Sequence, residues 1–154
     1  MGEHLIPEWA RAANPVGNCN LGVAHGAPGV VALLGQACAV GISAAEPLLA
    51  DAVRWILARR VPGARGSEVP GWWLPNDSPT GGRTAWCYGD LGVAGALLVA
   101  AKCARNAAWK RAAVDLALAA AMRPPEETGV VDAGLCHGAA GLGLLVPPHP
   151  PHDG

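Results

Sequence analysis

Apolar positions along the chain fall into two textures. One is apolar all round: Val30-Val31-Ala32-Leu33-Leu34, Val93-Ala94-Gly95-Ala96-Leu97-Leu98 and Leu142-Gly143-Leu144-Leu145. A helix without a polar face predicts an inner, buried element. The other texture is amphipathic. Leu49, Ala52, Val53 and Ile56 recur at helical spacing, as do Trp109, Ala113, Leu116 and Ala120, so each set predicts an outer helix with one buried face. The first outer helix opens on the capping-box pattern Ser43-Ala44-Ala45-Glu46 and stops at Pro62-Gly63, just after Arg59 and Arg60. The second runs from about Asn106 to Met122, with Arg111 and Asp115 paired across one turn, and ends at Arg123-Pro124-Pro125. No stretch keeps a strand's alternation long enough to matter. The pattern predicts an all-α protein, inner helix then outer helix, repeated. Two long loops remain, over about 61–85 and 123–135.

A repeat organises these elements. Ala24-His25-Gly26-Ala27-Pro28-Gly29, Cys87-Tyr88-Gly89-Asp90-Leu91-Gly92 and Cys136-His137-Gly138-Ala139-Ala140-Gly141 align without gaps. Each is a Gly-x-x-Gly preceded by a pair that carries a reactive or polar side chain, and each leads into an apolar helix. Glycine suits a turn that needs positive φ or a close backbone approach. Glycines 26 and 89 are 63 residues apart and glycines 89 and 138 are 49 apart, spacings that suit a repeated helix pair with variable loops.

Composition narrows the function. Across 154 residues the net charge is −1, which points to neither nucleic acid nor an anionic membrane as a partner. Residues 26–45 are uncharged and near membrane-spanning length, but Pro28, Gln36 and Ser43 make a buried helix with its turns the better reading than a membrane span. Only 15% of residues are charged while 51% are hydrophobic, an apolar balance for a domain this small. The five cysteines, an odd number, and the lack of a signal-peptide pattern at the N-terminus predict reduced thiols in a cytoplasmic protein.

The chemistry concentrates in Cys87, Cys136 and His137. Two thiols and an imidazole are the ligand set of a Zn2+ ion that keeps one position open, where a substrate thiol can bind and become a nucleophile near neutral pH. A structural zinc would need a fourth protein ligand, for which His25 or Cys19 is available. Cys38 and Cys103 sit in apolar helical runs and read as small hydrophobes. Asp90 reads as a cap for the helix after Gly89, Trp86 as packing, and Trp72-Trp73 as a packed loop rather than the wall of a peptide groove. The Pro/His-rich stretch 147–154, with His149 and His152, reads as a tail after a domain over 1–146.

The triple Gly-x-x-Gly, the run Gly82-Arg83-Thr84-Ala85-Trp86-Cys87-Tyr88-Gly89 and the run Leu135-Cys136-His137-Gly138 resemble the lanthionine synthetase C-like family, the lanthipeptide cyclases. The resemblance covers about Gly22 to Leu145. It implies an α/α toroid, of which this chain would form part, with zinc on Cys87, Cys136 and His137. It further implies acid–base chemistry at His25 and roles for Arg83, four residues before the first zinc cysteine, and for Tyr88, just after it. The implied activity is addition of Cys thiolates to dehydroalanine or dehydrobutyrine in a dehydrated precursor peptide, forming thioether rings. Family members are longer, and an Asp they use has no match here. The chain is therefore expected to be a fragment or one part of a split protein, working with a complementary chain or a dehydratase. The alternative is a non-catalytic module that binds zinc and a small thiol such as glutathione.

Overall fold

The structure is a computed structural model, and it describes residues 17–74 and 81–146. The stretch 147–154 and the Asn76–Pro79 segment of the first long loop lie outside the described residues. Helix α1 (Ala27–Ala39) follows Gly26, and helix α2 (Ala45–Leu57) returns along it. Helix α3 (Asp90–Cys103) follows Gly89 and packs on α1, and helix α4 (Ala107–Ala121) packs on α3. A 3-10 turn (Pro125–Glu127) leads to the short helix α5 (Ala139–Leu145). The two inner helices α1 and α3 lie side by side, with α2 and α4 outside them, as the two hydrophobic textures predict.

One core joins all four long helices. Val31 of α1, Leu49, Val53 and Ile56 of α2, Val93 and Leu97 of α3, and Ala113 and Leu116 of α4 are at most 1% exposed, and Leu21 and Val69 complete the cluster from the loops. Burying each of the Val, Leu and Ile side chains contributes roughly 1.5–3 kcal/mol. Helices α1 and α3 approach closely because Gly35 faces Ala100; a Cβ at 35 would lie 2.9 Å from the Ala100 Cα. Asn106 caps α4, its Oδ1 accepting from the backbone N–H of Ala108 at 3.0 Å and of Trp109 at 3.1 Å, which satisfies two orphan donors of the first turn.

Several expectations are corrected. Helix α1 is not buried all round, since Val30 is 51% and Leu33 66% exposed. The Ser43–Glu46 pattern forms no side-chain cap. Ala44 is the N-cap of α2, and Ser43 contributes only its carbonyl, to the Glu46 N–H. Helix α2 ends at Leu57, before Arg59, whose guanidinium folds back to donate to the Trp55 carbonyl at 2.9 Å. Among the described residues no ion pair joins Arg111 to Asp115. A two-residue antiparallel ribbon is present, β1 (Cys19–Asn20) with β2 (Trp72–Trp73), placing Cys19 opposite Trp73. Runs this short leave no alternation to read in the sequence.

The ribbon sorts the tryptophan pair. Trp73 meets the edge of Trp55 at 6.1 Å, and the Arg59 guanidinium lies over both rings at 3.6 and 4.3 Å, a packed loop held by cation–π attraction. Trp72, half exposed, stacks at a tilt against Tyr88 at 5.9 Å.

Candidate metal centre

Each Gly-x-x-Gly is built the same way. The loop before each inner helix curls so tightly that a backbone carbonyl lies against the glycine six residues later. Asn20, Arg83 and Asp132 present theirs to Gly26, Gly89 and Gly138; Val23, Trp86 and Leu135 present theirs to Gly29, Gly92 and Gly141. A Cβ at any of the six would meet that oxygen at a distance real side chains do not tolerate. Close approach explains both glycines of the motif. Positive φ applies only at Gly89 (φ 123), since Gly26 and Gly138 are extended.

The three curled loops then stack edge to edge. The Val23 N–H donates to the Cys87 carbonyl at 3.0 Å, and the Cys87 N–H donates to the Cys136 carbonyl at 3.3 Å. Backbone pairing thus sets Cys87 beside Cys136, although 49 residues separate them. The thiols of Cys87 and Cys136 and a ring nitrogen of His137 all lie within 4.8 Å of one another. Tetrahedral zinc sets such donors about 3.6–3.8 Å apart, so the set fits the ion in chemistry and, within about 1 Å, in spacing. Cys87 is buried while Cys136 and His137 are exposed, so the centre opens to one side. Burial, and then the neighbouring Cys136 thiol, push the Cys87 thiol pKa up. A divalent cation held at this point would reverse that balance by favouring the thiolate.

The two side chains available to close the site, His25 and Cys19, are elsewhere. His25 and Cys19 line a separate surface hollow with Asn18, Asn20 and Trp55, and among the described residues no further His, Cys, Asp or Glu joins the cluster. Among the described residues the cluster therefore has three donors and no fourth protein ligand. Asp90 does not cap its helix through its side chain. Its carboxylate is fully buried and accepts from the Ser67 hydroxyl, the Glu68 and Val69 N–H groups and the Arg123 guanidinium, all between 2.8 and 3.0 Å. Arg123 also donates to the Thr84 hydroxyl at 2.6 Å, and that hydroxyl donates to the Gly66 carbonyl. This buried frame grips the loop that carries Arg83 and Cys87.

Arg83 reaches the rim of the centre, while Tyr88 turns toward Asn20 and Trp72. The Arg83 guanidinium lies 3.8 Å from the Asp132 carboxylate, and the same carboxylate lies 3.6 Å from His137 Nε2. The Tyr88 hydroxyl accepts from Asn20 Nδ2 at 2.9 Å. Asp132 and Asn20 were not singled out by sequence reasoning. The signal was available in the alignment, since both stand six residues before the first glycine of their repeat.

The sequence profile of the lanthionine synthetase C-like proteins matches residues 2–146. The chain belongs to that family. Its fold is also that of nisin cyclase, a solved structure it matches with a TM-score of 0.71 at 22% identity. The match covers 91% of this chain and 36% of nisin cyclase, so the chain spans about a third of that protein. The inner and outer helix pairs are accordingly part of an α/α toroid. No curated protein sequence matches the chain. Among the described residues no helix is long and apolar enough to cross a membrane.

Proposed function

We propose that this lanthionine synthetase C-like chain is the zinc-bearing part of a peptide cyclase, acting in the cytoplasm on a dehydrated precursor peptide. The observation that carries this is the meeting of Cys87, Cys136 and His137 within 4.8 Å, with no fourth protein ligand among the described residues. These three side chains would hold the ion. When bound there, zinc supplies a lowered pKa for a substrate thiol, and hence a nucleophile near neutral pH.

The chain's other groups serve the acceptor. As the substrate sulfur bonds to the β-carbon of a dehydroamino acid, the alkene electrons pass to the α-carbon and its carbonyl, giving an enolate. Arg83, 41% exposed at the rim, is assigned to that negative charge. Asn20 donates to the Tyr88 oxygen, which leaves the phenol O–H to donate to the same enolate or to orient the peptide. His25 is assigned the proton that the α-carbon takes up. It is exposed, and its loop is tied to that of Cys87 through the Val23 backbone bond. The proton lost by the substrate thiol balances the proton gained at carbon, so no other reactant is required.

The test is to measure zinc stoichiometry in the purified chain, then to follow loss of free thiol from a dehydrated, Cys-containing peptide. A chain without zinc refutes the centre. One specific fact favours a second reading, in which the chain binds zinc and a thiol such as glutathione, or needs a complementary chain before it turns over. It spans 36% of nisin cyclase. Stoichiometric zinc with no loss of thiol would select that reading.

A further inference from the structure

The position six residues before the first glycine is occupied by Asn20, Arg83 and Asp132 in the three repeats. Asn20 and Asp132 make the same turn. Asn20 Oδ1 accepts from the Gly22 N–H at 2.8 Å, and Asp132 Oδ1 accepts from the Gly134 N–H at 2.7 Å. In both repeats the backbone carbonyl of that residue also meets the first glycine. An asparagine therefore suffices for the loop. The loop carrying His137 nevertheless has an aspartate, and its second oxygen, Oδ2, is not used by the turn. Oδ2 faces two groups of the centre, His137 Nε2 at 3.6 Å and Arg83 at 3.8 Å.

We propose that Asp132 is a positioning residue for the metal centre, an inference that rests on the zinc reading above. Its Oδ2 takes the Nε2–H of His137, fixing the ring so that Nδ1 faces the ion, and draws the Arg83 guanidinium to the same rim. The 3.6 Å separation exceeds a hydrogen bond by about 0.7 Å. Rotation closes that gap readily, because the two side chains are 49% and 37% exposed. A metal-binding histidine is oriented, and made a better donor, when its other nitrogen bonds a carboxylate. Asp132 thereby links the group that holds the ion to the cation assigned to the enolate.

Asp132→Asn separates the two duties of the residue, because it keeps the Oδ1 turn and removes the charge facing His137. The experiment uses the full chain and Zn2+ alone, with affinity read by competition against a chromophoric chelator. Co2+ serves as a spectroscopic substitute, and thermal unfolding is followed in the metal-free protein. In Asp132→Asn, metal-free stability should equal that of the unaltered chain. Zinc affinity should fall roughly 10–100-fold, with altered intensity of the Co2+ visible bands. Asp132→Ala should show the same loss of affinity and, in addition, lower metal-free stability. Unchanged affinity and cobalt spectrum in Asp132→Asn overturn the proposal while leaving the zinc centre standing. Failure of Asp132→Asn to fold overturns it as well, since the carboxylate would then serve the loop. An unaltered chain that takes up no zinc overturns the centre itself and this inference with it.

Discussion

Replacing Asp90 by Ala removes the one acceptor that four buried donors share. The Ser67 hydroxyl and the Val69 N–H point to Oδ1, and the Glu68 N–H and Arg123 guanidinium point to Oδ2. Asp90 is 0% and the Arg123 side chain 7% exposed, so solvent does not replace what is lost. Breaking a buried ion pair from one side costs about 3–5 kcal/mol, because the surviving charge stays buried without its partner. The Glu68 N–H loses its acceptor as well, whereas the Val69 N–H keeps the Ser67 hydroxyl at 3.2 Å and that hydroxyl keeps the Val69 carbonyl at 2.9 Å, so the expected loss stays within that range. For a chain of 154 residues, such a loss corresponds to a fall in Tm of roughly 10–15 °C. Asp90→Asn should rescue little, since whichever way the amide turns, its NH2 faces two donors.

Arg123→Met is the informative partner. It leaves Asp90 with the Ser67, Glu68 and Val69 bonds, and Thr84 still donates to the Gly66 carbonyl. Its cost should therefore be smaller than that of Asp90→Ala. The double variant should fall short of the sum by about 1–3 kcal/mol, the coupling expected of residues in one network. Urea unfolding of the four proteins, followed by circular dichroism, closes the cycle. A cost below about 1 kcal/mol for Asp90→Ala, or strict additivity in the double variant, would refute the claim that this buried network clamps the Cys87 loop.

Other consequences are open to simpler measurement. Cys136→Ser should abolish stoichiometric zinc while leaving the core of the four long helices intact, as read by zinc analysis and circular dichroism. His25→Ala should retain zinc and lose cyclisation of a dehydrated peptide; full cyclisation by that variant removes His25 from the mechanism. Because burial raises the Cys87 pKa, zinc uptake at neutral pH should release about one proton from this thiol, and affinity should fall as pH is lowered. The metal-free chain should lose stability above about pH 8.5, where the unfolded thiol ionises before the folded one; a flat pH profile there contradicts the raised value. Within α3, Gly92→Ala should destabilise sharply because its Cβ would strike the Trp86 carbonyl, whereas Gly95→Ala meets nothing within 4 Å and should stabilise by about 0.5–1 kcal/mol.

The parts of the molecule that were legible in the sequence are those carried by local pattern. The inner and outer helices follow from apolar periodicity, and α4 was placed to within a residue because Asn106 and the Pro124-Pro125 pair punctuate it. Cys87, Cys136 and His137 were found because the repeat registers them, and the backbone bonds between loops turn that register into contact. What escaped was long-range use of ordinary residues. Asp90 stands where an N-terminal helix residue usually stands, and only the fold reveals that it serves the 67–69 segment and Arg123. Ser43 and Glu46 fit a capping box, yet the chain reaches α2 through a turn that includes Gly41 at φ 88, and Ala44 arrives already helical.

Asp132 shows that the repeat extends beyond its glycines. Aligned on their first glycines, the three loops vary at this position as Asn, Arg and Asp. Read locally, two of these are turn formers and one is not. In space, Asn20 holds Tyr88 of the second loop, and Arg83 of that loop meets Asp132 of the third. The side chains that fix each loop's curl or rim therefore also join it to its neighbour. These lateral contacts run across the same three loops that carry the donor cluster. It follows that the side chains at 20, 83 and 132 should matter to zinc affinity even though none of them belongs to the donor cluster.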